Sequence, residues 1–187
     1  MASLLYIAIA SLDGFVADRA GGFDWAAPDD ALHAFINDMM RPIGTYLYGR
    51  RMYETMAGWE TAEADPGSVS DDFAKIWQAA EKIVYSTTLP ATRTSNTTLA
   101  RSFDAREIEL RKRGSPSDLA VAGPDLAGYA FRAGIVDRCR LFLAPVLVGA
   151  GRRALPRGVH LELALEDQRC FERGFIYLDY LVKPPQA

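Results

Sequence analysis

The chain has 187 residues, of which 49% are hydrophobic and 24% are charged. These values are ordinary for a globular protein and exclude a disordered or collagen-like chain. The 21 Lys and Arg residues stand against 24 Asp and Glu, a net charge of −3, which disfavours a nucleic-acid-binding protein because that class normally carries a basic excess.

The first half of the chain alternates apolar runs of strand length with helical patterns. Leu4–Ala10 is a continuous apolar run, typical of a strand that is buried on both faces. An amphipathic helix is predicted after Pro28. Thr45–Tyr48 predicts a second strand, and Gly49 begins a helix that Gly58 ends.

The middle of the chain continues this alternation. The predicted elements, in order, are a helix from Ser70, a strand Lys82–Tyr85, a strand Thr97–Phe103, a helix Arg106–Lys112, a strand Leu119–Ala122 and a helix Asp125–Ala133.

The last third has a different pattern. It contains alternating runs around Cys139–Leu143 and Leu161–Leu165, then the run Phe175–Val182, without helices between them. Such strands predict that the sheet becomes antiparallel at one edge. The fold class is therefore α/β, with a mostly parallel, helix-covered sheet and antiparallel C-terminal strands, and the length predicts one domain over residues 1–187.

The segment Gly149–Ala154 matches the dinucleotide-binding pattern G-x-G-x-x-[GA] and follows a strand. That pattern binds a pyrophosphate only when a helix begins directly after it. Because Pro156 and Gly158 leave no room for such a helix, we interpret the segment as a loop whose backbone makes a close approach, with a partner that the sequence does not identify.

Three strand-to-helix junctions are better candidates for ligand binding. They are Gly49–Arg51, Ser86–Thr88 and Gly123–Asp125. In an open α/β sheet, ligands bind beyond the carboxyl ends of the parallel strands, and helix N-termini there favour phosphate. Each junction alone is typical of an ordinary turn, but together they indicate a phosphorylated ligand.

Metal, disulfide and membrane signals are weak. Cys139, Cys170, His33 and His160 lack the spacing of a zinc site, so no metal is expected. Both cysteines are expected to be buried thiols in strands. Without a disulfide framework or an apolar stretch of roughly 18–20 residues, the sequence predicts a cytoplasmic protein that does not bind membranes.

Several motifs together resemble a known family. Ala8–Ala17 and Gly49–Glu54 resemble the first two signatures of the dihydrofolate-reductase-like fold, a three-layer sandwich. Val121–Leu126, Ala133–Asp137 and Ala144–Gly151 are similar to the C-terminal reductase domain of riboflavin biosynthesis, the RibD C-terminal domain family. The resemblance extends from about Leu4 to Val182.

The resemblance implies that NADPH binds across the sheet. Gly49, Arg50 and Arg51 would meet the cofactor's phosphates, and Ser86 and Thr87 would lie near the 2′-phosphate. The residues implied for the pyrophosphate and nicotinamide side are Gly123, Pro124, Asp125 and Leu126, with Ala10 at the nicotinamide carboxamide.

The substrate would lie beside the nicotinamide. Asp13 is the first candidate for a catalytic carboxylate because it follows the first strand, and Asp24 is the second candidate. The alternative interpretation of Asp13 is a simple turn residue. Trp25 and Phe35 are predicted to face a flat heterocycle. His33 is expected to face solvent.

These expectations favour an NADPH-dependent reductase of a small heterocyclic substrate, most similar to the reductase of the aminopyrimidine-ribosyl phosphate of the riboflavin route. The alternatives are a dihydrofolate or pterin reductase and a non-catalytic nucleotide-binding protein on the same scaffold. A homodimer is also predicted, because the antiparallel C-terminal strands, such as the run Phe175–Leu178, carry apolar side chains on both faces, and an exposed edge of that kind is usually covered or paired.

Overall fold

A computed structural model describes residues 1–183, so the last four residues of the predicted domain, 184–187, lie outside the described residues. The described strands are β1 Leu4–Ser11, β2 Phe15–Asp18, β3 Ile43–Gly49, β4 Glu81–Tyr85, β5 Thr97–Ala100, β6 Asp118–Ala122, β7 Arg138–Ala144, β8 Gly151–Arg153, β9 Leu163–Cys170 and β10 Ile176–Val182. The α-helices are α1 Asp30–Met40, α2 Arg50–Met56, α3 Val69–Ala79, α4 Ala105–Gly114 and α5 Pro124–Arg132, with 3₁₀ helices at Asp24–Ala26 and Ala57–Glu60.

Eight strands form one mixed sheet in the order β5-β4-β3-β6-β1-β7-β10-β9. The first six strands in that order are parallel to their neighbours, and β10 is antiparallel to both β7 and β9. The predicted α/β class, with a mostly parallel sheet that ends in antiparallel strands, is confirmed.

A second, two-stranded sheet pairs β2 with β8 and was not predicted from the sequence. Its cause is the close approach expected for the glycine-rich loop: a Cβ on Gly151 would lie only 2.0 Å from the Ala17 carbonyl oxygen. The segment Gly149–Ala154 contains the short strand β8, and the next element is the strand β9 rather than a helix, so the segment is not a dinucleotide-binding turn, as predicted.

Helices cover both faces of the large sheet. On one face, Ile108 of α4 and Phe131 of α5 pack against Leu4, Leu119 and Val121 of the central strands. The other face is covered by α1 and α3. There, Phe73 and Trp77 of α3 join a core with the β3 tyrosines, and Leu32 of α1 packs on Phe142. The result is a three-layer sandwich.

Local differences from the sequence predictions have simple causes. The helix expected from Ser70 begins at Val69 because the Ser68 side chain caps it, accepting from the Asp71 amide at 3.2 Å. Cys139 is buried as expected, but Cys170 is exposed because it lies on the edge strand β9. The prediction that Cys170 is buried was therefore wrong.

The six parallel strands end at one edge of the sheet, which we call the carboxyl edge. It is formed by the last residues of β5, β4, β3, β6, β1 and β7. Within residues 1–183, none of the helices has the length and apolar character needed to cross a membrane.

Candidate functional site

The carboxyl edge brings together the segments that the sequence predicted to bind phosphate. Ala10 is the penultimate residue of β1, and the junctions Gly49–Arg51, Ser86–Thr88 and Gly123–Leu126 directly follow β3, β4 and β6. These four strands are adjacent, in the order β4-β3-β6-β1. Three steps between neighbouring strands span roughly 14 Å, long enough for an extended dinucleotide.

The start of α5 depends on Gly123. Its φ of +93° lies in the region that L-residues rarely adopt, and a Cβ there would be 3.2 Å from the Cβ of Met52. Pro124 occupies the first helical turn, where its missing N–H costs no intrahelical bond. The backbone of this turn therefore comes close to α2, and both helices begin at the same edge.

The junction after β4 is a compact polar turn. The Ser86 hydroxyl oxygen accepts hydrogen bonds from the amides of Thr88 at 3.2 Å and Leu89 at 3.0 Å. The Arg50 guanidinium donates to the Thr88 hydroxyl at 3.0 Å, while its Nε donates to Glu54 at 2.8 Å. Thr87, like Arg51 on α2, is exposed. Arginine and hydroxyl groups thus converge at the ends of β3 and β4.

Asp125 introduces a negative charge at the start of α5. Its side chain is 79% exposed and forms an ion pair with Arg152 of β8. The pairing offsets that charge near the helix N-terminus, so the small β2–β8 sheet contributes to the electrostatics of this edge.

Asp13 lies on the substrate side of the edge, but its carboxylate already has several partners. It accepts from the Ser11 hydroxyl at 2.6 Å and from the amides of Val148 at 3.2 Å and Gly149 at 2.7 Å. The Ser11 hydroxyl and these two amides lower the pKa of Asp13. An ionised carboxylate that joins two loops fits a positioning role better than proton transfer, and its role in turnover stays a prediction.

The other substrate-side candidates have different environments. Asp24 is exposed on its 3₁₀ helix. The indole Nε1 of Trp25 is buried and has no hydrogen-bond partner among residues 1–183, so it could donate to a ligand. Phe35, in contrast, packs within 5.0–6.2 Å of the rings of Phe142, Phe171 and Tyr177, which commits that ring to the core.

His33 does not face solvent freely, so that expectation was wrong. It is half-buried, with its ring 5.6 Å from that of Phe73 and 6.1 Å from that of Trp59. Burial lowers the pKa of His33, while the charges of Asp30 and Asp72 oppose the shift.

Arg101 is a residue of this edge that sequence reasoning missed. It directly follows β5, and its Nη1 donates to the carbonyl oxygens of Ser86 at 3.0 Å and Leu89 at 2.7 Å. The only sequence signal is an arginine one residue after a short strand, which is too common to single out.

Two clefts of about 410 and 560 Å³ lie beside α3 and share Gly67, Ser68 and Val69 in their walls. Neither contains a residue predicted for cofactor or substrate. Within residues 1–183, no cluster of three or more His, Cys, Asp or Glu side chains could hold a metal ion.

The sequence from residue 2 to residue 175 matches the model of the RibD C-terminal domain. The chain belongs to the RibD C-terminal domain family. The resemblance drawn from the motifs around Asp13, Gly49 and Gly123 is therefore confirmed.

Family relatives support the same fold. An uncharacterized protein of Bacillus subtilis, YyaP, is 23% identical over 171 residues, covering 91% of this chain and 89% of YyaP. A Shewanella sp. PV-4 protein ascribed to riboflavin biosynthesis superposes with a TM-score of 0.76 at 16% identity, over 97% of this chain and 99% of that one.

A larger RibD protein also contains this fold. A Thermotoga maritima diaminohydroxyphosphoribosylaminopyrimidine deaminase/5-amino-6-(5-phosphoribosylamino)uracil reductase has a TM-score of 0.67 at 17% identity, over 97% of this chain and 57% of that one. The predicted dihydrofolate-reductase-like sandwich of the RibD C-terminal domain family is thus the fold of this chain.

Proposed function

We propose that this chain is an NADPH-dependent reductase of a small nitrogen heterocycle. The observation that carries the proposal is the convergence of four separately predicted segments at the ends of the adjacent strands β4, β3, β6 and β1. Nucleotides bind at this edge in open α/β sheets, and family membership supports a reductase over other chemistries.

The residues at the edge fit the cofactor's phosphates. Arg50, Arg51 and the hydroxyls of Ser86 and Thr87 have the chemistry of a phosphate-monoester site, and guanidinium groups bind such oxygens with charge-assisted hydrogen bonds. Gly123 to Leu126 would approach the pyrophosphate through backbone, with Ala10 beside the nicotinamide. When bound, NADPH supplies the hydride; the protein residues orient the rings and exclude water.

For the substrate, we favour an aminopyrimidine-ribosyl phosphate. The Thermotoga maritima protein is a 5-amino-6-(5-phosphoribosylamino)uracil reductase, whose substrate belongs to this class of compound. The buried, unpartnered indole N–H of Trp25 would suit a carbonyl or ring nitrogen of such a heterocycle. A dihydrofolate or pterin offers similar acceptors, so turnover of both substrate classes should be compared.

A non-catalytic nucleotide-binding protein is the second candidate, and one observation favours it. Asp13 is held by its own chain and Asp24 is exposed, so neither carboxylate is poised as a proton donor. A reductase would then take its proton from water or from the substrate itself.

Cofactor titration by fluorescence tests the proposal. We expect NADPH to bind at least tenfold more tightly than NADH, because only NADPH carries the 2′-phosphate. Arg50→Ala should remove most of this preference, and Arg113→Ala, an exposed arginine at the far end of α4, should not. Equal affinities in the wild-type protein, or no binding, would reject the reductase.

Turnover then separates the two candidates. NADPH oxidation is followed at 340 nm with 5-amino-6-(5-phosphoribosylamino)uracil, and in parallel with dihydrofolate. Consumption that depends on one substrate identifies the reductase class. Tight NADPH binding without turnover of either substrate class supports the binding protein instead.

We also propose a homodimer that forms through the edge strand β9. The run Phe175–Leu178 is not the exposed edge that the sequence suggested, because β10 pairs with β7 on one side and with β9 on the other. Leu163, Leu165 and the neighbouring Leu181 of β10 are each 39–52% exposed, and β9 is the last strand of its sheet. An exposed apolar edge strand tends to pair with another strand. Light scattering should give twice the monomer mass of 20.6 kDa, and Leu165→Lys should lower it, unlike Leu110→Lys on the exposed face of α4. A monomer at micromolar concentration would contradict the dimer.

A further inference from the structure

Arg101 contacts the polar turn that follows β4. It is not among the residues that would contact NADPH in the proposed function. Two sets of hydrogen bonds join the turn to the end of β5, one from backbone and one from a side chain. The Ser86 amide donates to the Ala100 carbonyl at 3.0 Å, and the Arg101 guanidinium then donates to the carbonyls of Ser86 and Leu89. One side chain thereby bonds to both ends of the turn.

These bonds decide which backbone groups of the turn remain available. A turn presents both carbonyl oxygens and amide protons, and carbonyl oxygens repel an anion. Arg101 binds the carbonyls of Ser86 and Leu89, while the Ser86 hydroxyl oxygen holds the amides of Thr88 and Leu89. The exposed Thr87 therefore lies in a turn in which the carbonyl oxygens at both ends, those of Ser86 and Leu89, are already bonded to a guanidinium group.

Positive charge flanks the turn on two sides. Arg50 reaches it from α2 through the Thr88 hydroxyl at 3.0 Å, and Arg101 reaches it from the end of β5. Both arginines are exposed, and both place a positive charge beside the turn. Two guanidinium groups around a hydroxyl-rich turn match a dianionic phosphate monoester better than a neutral ribose.

We propose that Arg101 is a positioning residue that gives the site its selectivity for the 2′-phosphorylated nucleotide. It fixes the Ser86–Leu89 turn and neutralises the two carbonyl oxygens that would otherwise oppose the phosphate. This inference rests on the proposed function, because the ligand is the 2′-phosphate of NADPH. It adds a residue whose effect is on nucleotide discrimination rather than on hydride transfer.

The test compares Arg101→Ala and Arg101→Lys with the wild-type protein and with Arg113→Ala as the matched control. Fluorescence titration should show a roughly tenfold weaker Kd for NADPH in Arg101→Ala, with the Kd for NADH changed less than about twofold. Arg101→Lys keeps the positive charge but loses the planar guanidinium group. Its Kd for NADPH should therefore lie between those of the wild-type protein and Arg101→Ala.

Hydrogen exchange without nucleotide gives an independent measurement. In Arg101→Ala, the amides of Thr88 and Leu89 should exchange faster, whereas the β4 amides should be unchanged. An unaltered ratio of NADPH to NADH affinity, in a protein whose wild-type form prefers NADPH, overturns the role of Arg101 alone. A wild-type protein that binds neither nucleotide overturns the proposed function together with this inference.

Discussion

The two halves of the carboxyl edge, which we propose as a nucleotide side and a substrate side, differ in how their polar groups are bonded. On the nucleotide side, at the ends of β3 and β4, Arg51 and Thr87 are exposed and Arg50 makes bonds only at the surface. On the substrate side, at the end of β1, the Asp13 carboxylate is held by three donors from its own chain, and Phe35 is packed among aromatic rings.

This difference indicates which groups are free for a ligand. Side chains that already satisfy one another stabilise the protein and fix loop positions, while exposed side chains beside a built turn can still bind. The unpartnered N–H of Trp25 is the exception on the substrate side. We therefore expect substitutions on the nucleotide side to change affinity, and most substitutions on the substrate side to change loop geometry.

The largest effect is expected from Asp13→Asn. An asparagine amide cannot accept from the Ser11 hydroxyl and from both loop amides, so the loop around Val148 and Gly149 should shift. A shift of about 1 Å beside the reacting groups lowers turnover by roughly 10²-fold. Steady-state kinetics should show this loss, with the Kd for NADPH within about twofold of the wild-type value.

Asp24→Asn is the matched control for Asp13→Asn, because the Asp24 carboxylate is exposed. Turnover by the Asp24→Asn protein should remain within about twofold of wild type. A larger loss for Asp24→Asn would make Asp24 the catalytic carboxylate. Normal turnover of Asp13→Asn would leave Asp13 as a turn residue only.

Gly123→Ala should weaken the nucleotide side. Its positive φ and the 3.2 Å approach to Met52 make a Cβ unfavourable there, by about 1–2 kcal/mol of unfolding free energy. Urea denaturation and NADPH titration should both show the change. Gly58→Ala is the control, since a Cβ at Gly58 meets no atom within 4 Å. Equal stability of the two variants would contradict the argument.

Trp25→Phe should have a moderate effect on the substrate alone. Losing a hydrogen bond to the ligand raises KM for the aminopyrimidine roughly fivefold, and the Kd for NADPH should not change. Trp77→Phe is a useful contrast, because the Trp77 indole donates to the Tyr48 hydroxyl at 3.1 Å inside the core. Trp77→Phe should therefore lose stability while its KM stays unchanged. If Trp25→Phe lost stability without a change in KM, Trp25 would be excluded from the substrate site.

The smallest expected effect is in the pH profile. Because the pKa of Asp13 is lowered, the stability that its ionised form contributes is present above the pKa of the unfolded chain. That contribution is lost only as the pH falls through the lower, folded value. Between about pH 5 and 8, Asp13 should therefore add no step to kcat/KM. A step in that range that disappears in Asp13→Asn would disprove this assignment.

Much of the fold could be predicted because its signals are local. The apolar run Leu4–Ala10 and the spacing after Pro28 each predicted an element that the structure contains. The sheet of β2 and β8 could not be predicted, because it depends on the contact of Gly151 with Ala17, far apart in sequence. The exposure of Cys170 likewise depends on which strand becomes the edge.

The candidate site divides in the same way. The turns at the ends of β3, β4 and β6 could be predicted because each combines a strand end with a recognisable turn sequence, as at Gly123; their binding of phosphate stays a prediction. The partners of Asp13 could not be predicted, since Val148 and Gly149 are more than a hundred residues away. Arg101 was missed because its role lies in two carbonyl contacts that no sequence pattern encodes.

The central position of β1 has a consequence for synthesis of the chain. Leu4–Ser11 pairs with β6 on one side and with β7 on the other, so neither neighbour exists until residues 118–144 have left the ribosome. Until those residues are synthesised, the apolar segment Leu4–Ser11 has no neighbouring strand to pair with. Exposed apolar segments of this kind aggregate or bind chaperones. A polypeptide that stops before Asp118 should therefore accumulate as insoluble material in cells.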